Sequence, residues 1–226
     1  MANMESLYIQ FGCGPCAPPS WRNFDAGPYF WLQKYLPVLT PLMVRRGVIL
    51  YPVRHIEYAD VTKGLPVRAN SAKAVYCSHV LEHLALSEFR AAIRNVYGYL
   101  ASGGRFRLVV PDIEYLAKEY VADSNPEAVS RFMESTCLGE KTAVRGIRAL
   151  PKSLFGRSRH LWMWDFKGIS KELADAGFIE IHRADFNDSA DPRFKEVEET
   201  GRWENCLGVE CTKPSASSAR VTQKQV

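Results

Sequence analysis

The chain has 226 residues, of which 46% are hydrophobic and 24% charged. That is ample for one well-buried core and short for two ordinary domains. The formal net charge is +4, and three of the positive charges, Lys213, Arg220 and Lys224, fall in the last fourteen residues, where there is no acid. The remaining body is close to neutral, so the basic balance does not argue for a nucleic-acid binder. No uncharged run approaches the ~18 residues that a transmembrane helix needs, and the first residues lack the basic and apolar regions of a secretory leader. Six cysteines in such a chain read as reduced thiols, and a cytoplasmic location is expected.

In chain order, residues 6–11 form a short apolar run that ends in Gly12-Cys13-Gly14, the pattern of a buried strand entering a tight turn. Residues 21–25 predict a second, very short strand. The aromatic and Leu-rich stretch 27–46, broken by prolines, predicts two short helices over a sheet or a cleft. A third strand falls at 48–53 or 55–59 and stops at Asp60. Residues 74–78 are continuously apolar and small, as in a strand buried on both faces. Ser87 is the expected N-cap of a helix over 88–100 that ends at Gly103-Gly104. A strand over 105–110 follows. Ser124-x-x-Glu127 reads as a capping box for a helix to about Cys137. A helix over 170–176 and strands near 178–186 and 206–211 complete the domain, residues 1–212, and 213–226 are expected to be a disordered tail. Strands alternating with helices give an α/β fold with a parallel sheet. The last two strands have only a polar loop between them, so they form an antiparallel hairpin at one edge.

Phe11-Gly12-Cys13-Gly14 lets the backbone approach a nucleotide-type cofactor closely, and Asp25, at the end of the second strand, is placed to accept hydrogen bonds from both ribose hydroxyls. The gap between Gly14 and Asp25 is shorter than the usual Rossmann spacing of ~20 residues, and Pro15, Pro18 and Pro19 leave little room for a first helix. Cys13-Gly14-Pro15-Cys16 matches a thioredoxin-type tetrapeptide, but that motif must open a helix, and Pro18-Pro19 would fall inside it.

The sequence resembles the class I S-adenosylmethionine-dependent methyltransferases, in particular a subgroup with an abbreviated first helix. The resemblance lies in Gly12-Cys13-Gly14 followed by Trp21-Arg22-Asn23-Phe24-Asp25, in Tyr58-Ala59-Asp60 before Leu65-Pro66, and in the run from Tyr76 to Leu84. It continues through Leu100-Ala101-Ser102-Gly103-Gly104, Val109-Val110-Pro111-Asp112 and Leu173-Ala174-Asp175-Ala176-Gly177-Phe178. It implies a Rossmann-like, doubly wound, mostly parallel sheet of about seven strands. It also implies S-adenosylmethionine as cofactor, held by Phe11, Gly12, Cys13, Gly14, Asp25, Asp60, Val61, Ser78 and His79. Ser78 and His79 would lie near the methyl group. Gln10 stands where many members carry an acid that contacts the cofactor's amino group, and Lys73 stands where many carry Asp.

His79-x-x-Glu82-His83 matches an inverted zinc-peptidase motif but lacks a clear third ligand. Some small-RNA and ubiquinone-precursor methyltransferases bind a divalent metal through Glu-x-x-Glu-His at this place; this chain is similar with His79 first. A strand-to-helix junction is the preferred reading, and no metal is assigned. His160, ahead of Trp162, Trp164 and Phe166, belongs to an aromatic cluster or serves as a general base. Asp112, at a strand's carboxyl end, binds or orients substrate. His160, Asp112 and His79 are thus the candidate catalytic residues. The basic stretch 140–160 reads as a solvated face or a mobile lid that attracts an anionic acceptor. The aromatic stretch 29–53 reads as core, pocket wall or a shallow contact with a lipid-linked acceptor.

The function these features imply is O- or N-methylation of a small-molecule or saccharide acceptor, with no nucleic-acid partner. A nicotinamide-dependent oxidoreductase or epimerase, or a non-catalytic S-adenosylmethionine-binding regulator, is the alternative. The short-chain type of oxidoreductase needs Tyr-x-x-x-Lys, and no tyrosine here has Lys four residues later.

Overall fold

The computed structural model describes residues 7–139 and 159–215. The strands are β1 (Leu7–Phe11), β2 (Arg22–Asp25), β3 (Ile56–Tyr58), β4 (Ala72–Ser78), β5 (Leu100–Pro111), β6 (Ile179–Ala184) and β7 (Cys206–Thr212). They form one sheet in the order β3-β2-β1-β4-β5-β7-β6. Neighbours from β3 through β5 pair in parallel, and β7 lies antiparallel to both β5 and β6. Six strands therefore run one way and β7 the other, an α/β Rossmann-like fold with its antiparallel pair at one edge. The helices are α1 (Pro28–Tyr35), α2 (Thr40–Arg45), α3 (Leu86–Tyr99), α4 (Ile113–Ala122), α5 (Ala128–Ser135) and α6 (Phe166–Asp175).

Alternation along the strands makes two cores. Ile9, Phe11, Val75, Cys77, Phe106 and Leu108 face a layer that includes Phe89, Ile93 and Val96 of α3 and Ile169 and Leu173 of α6. The opposite parity, Tyr8, Ala74, Tyr76 and Val109, meets Trp21, Phe194 and Val197. Arg107 belongs to this second face and is fully buried. It pairs with Glu198, with Glu210 (3.0 Å) and with Asp188 (2.8 Å), and donates to the Asp185 carbonyl (2.6 Å). Asp191 ties the same face together, accepting from the Tyr8 hydroxyl (2.9 Å) and pairing with Lys73 (3.1 Å).

Three local details differ from the sequence reading. The cap of α3 is Ala85, whose N–H donates to the Glu88 carboxylate at 3.0 Å, so the helix starts before Ser87. α5 is preceded not by a Ser124 cap but by Asx turns, in which Asp123 accepts from Asn125 N and Asn125 from Glu127 N, both at 2.9 Å. α4, absent from the sequence reading, is capped by Asp112, which accepts from Glu114 N (2.9 Å) and Tyr115 N (3.4 Å). No helix separates β1 from β2, as the prolines there require. Beyond β7, Lys213 Nζ donates to Asn70 Oδ1 and to the Tyr97 and Leu100 carbonyls at 2.7–2.8 Å. Residues 216–226, where most of the tail is expected, and most of the basic stretch 140–160 lie outside the described residues.

Candidate functional site

The strand order reverses direction between β1 and β4, and ligands of open α/β sheets bind at that switch point, outside the carboxyl ends of the strands. A cleft of about 400 Å³ opens there, within the usual range for small-molecule sites. Phe11, Gly12 and Gly14 reach it from β1 and its turn, Asp25 from β2, and Asp60 and Val61 from the turn after β3. His79, Val80 and His83 come from the segment after β4, and Tyr29, Tyr51 and Arg202 complete the wall.

Gly12 has φ +61°, and a Cβ there would lie 2.1 Å from Val80 Cγ2. The turn after β1 therefore fits against the segment after β4 only because Gly12 has no side chain. The Asp25 carboxylate, almost fully buried, organises two turns at once. Oδ2 accepts from Gly14 N at 2.9 Å and Oδ1 from Gly27 N at 2.6 Å. Burial raises its pKa against the lowering effect of these two N–H groups. Each oxygen keeps a further lone pair for a ligand hydroxyl. Asp60 Oδ1 accepts from the N–H and hydroxyl of Thr62 at 2.9 and 2.7 Å, so its loop is likewise preset. Tyr51 is held by Gln33, whose amide bonds its backbone N–H and C=O at 2.9 and 2.8 Å. Burial and the neighbouring Asp25 push its phenol up to about 12, so it stays a neutral hydroxyl in the cleft.

His79 sits in the left-handed region at φ +55°. Its Nε2 lies 2.9 Å from the Arg202 carbonyl and its Nδ1 3.4 Å from Glu82 Oε1. Burial opposes a charge on this ring, yet hydrogen bonds to Cys206, Glu82 and the Arg202 carbonyl outweigh it and bring the pKa to about 10. Arg202, which sequence reasoning missed, donates to the Ser78 carbonyl at 3.2 Å and pairs with Glu199 at 3.0 Å. It comes from a 3-10 turn over Thr200–Arg202, ahead of β7. Gln10, the departure noted in the sequence, is buried with its side-chain oxygen unpartnered among the described residues.

Four predicted site residues do not line this cleft. Cys13 is buried behind the turn, and burial followed by Asp25 raises its thiol. Burial raises Cys16 as well, so neither thiol is activated as a thioredoxin motif requires. Ser78 is buried at the end of β4. Asp112 spends one oxygen on the α4 cap, and the other lies 3.3 Å from Arg183 Nη1. His160 lies behind His83, ring to ring at 5.1 Å. Of its aromatic neighbours, Trp164 is buried against Phe89, whereas Trp162 is exposed.

Glu82 is fully buried; His79 Nδ1 lies 3.4 Å from its Oε1, and Oε2 has no hydrogen-bond partner among the described residues. His83 Nδ1 is fixed at 2.9 Å from the Arg159 carbonyl, and Nε2 lies 3.8 Å from Glu82 Oε1. The Glu82 carbonyl accepts from Leu161 N (2.7 Å) and Trp162 N (3.2 Å), which brings His160 to the same place. Glu82, His83 and His160 each offer one ligand atom, all within 4.8 Å of one another.

No curated protein sequence matches the chain. A solved S-adenosylmethionine-dependent methyltransferase of Thermotoga maritima is similar at 15% identity and a TM-score of 0.49, over 92% of this chain and 83% of that one. Phosphoethanolamine N-methyltransferase 2 of Haemonchus contortus, solved with phosphomonomethylethanolamine and S-adenosylhomocysteine, is similar at 12% identity and a TM-score of 0.47, over 93% and 49%. Residues 37–108 match the family model of a methyltransferase domain.

Proposed function

We propose that the chain is an S-adenosylmethionine-dependent methyltransferase acting on a small-molecule or saccharide acceptor. The observation that carries this reading is the convergence of the Gly12–Gly14 turn, Asp25 and Asp60 on one cleft at the sheet's switch point, in a chain whose segment 37–108 matches a methyltransferase domain. Gly12 is a cradle that a Cβ would fill. Asp25 takes the ribose hydroxyls, Asp60 and the backbone at Val61 face the adenine, and Gly12 and Gly14 border the methionine portion. Arg202, beside Gly14, supplies the positive charge for that portion's carboxylate. When bound, the donor supplies an activated methyl group that an acceptor's lone pair takes in line as the C–S electron pair returns to sulfur. The protein's task is then alignment and exclusion of water, and orientation is worth ~7–11 kcal/mol in well-organised sites. His79, protonated at neutral pH, acts as a donor beside the reacting centre and not as a base.

The buried Glu82, whose Oε2 is unpartnered among the described residues, also gives the cluster behind His79 a use. One carboxylate and two imidazoles suit a divalent transition metal such as zinc or manganese, and three protein ligands leave coordination positions open. Glu82, His83 and His160 would hold the ion. It would supply Lewis acidity toward an oxygen or nitrogen of the acceptor. His160 then serves as a ligand, a role that its position behind His83 favours over direct proton abstraction.

Calorimetry tests the donor reading. S-adenosylhomocysteine should bind one site per chain, NADH should not bind, and Asp25→Asn should weaken the first at least tenfold. Binding of NADH in place of S-adenosylhomocysteine would transfer the chain to the oxidoreductases.

A further inference from the structure

Helix α3 obeys the ordinary rule for a helix on a core: Phe89, Ala92, Ile93 and Val96 are buried, and Arg94 is exposed. The stretch from α1 to the loop after α2 inverts it. α1 buries only Phe30 and α2 only Met43. Tyr29, Trp31, Tyr35, Leu36, Val38, Leu39, Leu42, Val44, Ile49 and Leu50 are all exposed, with Val38 at 81% and Ile49 at 70%. Scattered apolar residues on a surface need no explanation, but a continuous stretch of this kind marks an interaction face.

Charge identifies the kind of partner. Between Asp25 and Glu57 there is no acidic residue, and the stretch carries Lys34, Arg45, Arg46 and Arg54. Lys34 is used internally, donating to the Ile56 carbonyl at 2.7 Å. Arg45, Arg46 and Arg54 are exposed and have no acidic partner among the described residues. Two copies of this face would oppose cation to cation. An anionic lipid surface satisfies both halves of the pattern: aliphatic side chains enter the acyl boundary, Trp31 and the tyrosines sit at headgroup level, and each exposed arginine is attracted to the anionic headgroups.

We propose that the surface formed by residues 29–50 docks the protein on an anionic bilayer. Tyr29 belongs both to this face and to the cleft wall, so the docked cleft opens beside the membrane. The acceptor class that fits is an amphiphile whose polar head reaches the cleft while its apolar tail stays in the bilayer. This last step rests on the methyltransferase reading; the docking itself does not.

The test is co-sedimentation of the full chain with phosphatidylcholine vesicles, with and without phosphatidylglycerol. Binding should require phosphatidylglycerol and weaken as salt is raised. It should fall more than tenfold both in Val38→Glu with Ile49→Glu and in Arg45→Glu with Arg46→Glu. These side chains lie outside the cleft, so S-adenosylhomocysteine affinity should be unchanged, and calorimetry reports separately whether the donor reading stands. Absence of binding to anionic vesicles would overturn the docking proposal. So would binding that survives Val38→Glu with Ile49→Glu, or a wild-type dimer that this pair of substitutions converts to monomer. An acidic protein that occupies this face in preference to vesicles would overturn it as well.

Discussion

Replacing Gly12 by alanine perturbs the cleft at its narrowest backbone contact. The new Cβ would meet Val80 Cγ2 at 2.1 Å, and the residue would have to keep φ at +61°. Holding an L-residue in the left-handed region costs roughly 1–2 kcal/mol, and overpacking adds typically ~1–3 kcal/mol. Gly12→Ala should therefore lose about 2–5 kcal/mol in urea unfolding and weaken S-adenosylhomocysteine binding, because relief of the clash moves the turn from the segment after β4. The two contributions separate in a double-mutant cycle. Val80→Ala removes the clashing methyl and leaves Val80 Cβ at 3.4 Å. In the Gly12→Ala background it should restore the overpacking share and leave only the backbone share. Equal urea midpoints for wild type and Gly12→Ala, or a cycle with no coupling, would refute this reasoning.

Arg107→Met leaves Glu198 buried without its cation and Glu210 with Arg105 alone, and urea unfolding should register a loss of about 3–5 kcal/mol; a change below 1 kcal/mol would show the cluster to be dispensable. Arg202→Ala should weaken S-adenosylhomocysteine about tenfold, since a hydrogen bond to a charged group contributes ~1.5–3 kcal/mol. Unchanged affinity would remove Arg202 from the proposed carboxylate contact. At Asp191, burial raises the pKa, but Lys73, the Arg193 N–H and the Tyr8 hydroxyl outweigh it and hold the carboxyl below its ordinary value. Its stabilising contribution is then present above the unfolded pKa of ~3.9 and lost as pH falls through the folded value. The stability gap between wild type and Asp191→Asn should be constant near neutrality and close in acid, and a gap that widens in acid would contradict the assignment. Metal-stripped protein should take up one Co2+ per chain with a visible absorption band. His83→Ala and His160→Ala should lose it and the exposed His182→Ala should keep it; retention in both ligand variants would dismiss the site.

Much of the frame was legible because the strands announce themselves. β4 and β5 are apolar and bounded by turns, and glycines at 12 and 14 follow a strand as the switch-point cleft requires. What stayed hidden depends on distance along the chain. Arg202 carries no local signal; only the turn that delivers Thr200–Arg202 to the end of β4 makes it part of the cleft. The third member of the Glu82 and His83 cluster lies 77 residues beyond His83, and the bonds from Leu161 N and Trp162 N to the Glu82 carbonyl are what bring it there. Asp112 illustrates the opposite case: a carboxylate at a strand's end looks available for substrate, yet it caps α4 and pairs with Arg183. α4 did carry a signal, since Ile113, Leu116, Ala117, Tyr120 and Val121 stand at helical spacing, although the structure buries none of its residues fully.

A crystal structure of the protein grown with excess S-adenosylhomocysteine would test the central claim most directly. The account predicts the ribose against Asp25, the adenine beside Asp60 and Val61, and the methionine portion between the Gly12–Gly14 turn and Arg202. A ligand bound elsewhere, or a cleft from which side chains exclude it, would contradict the account.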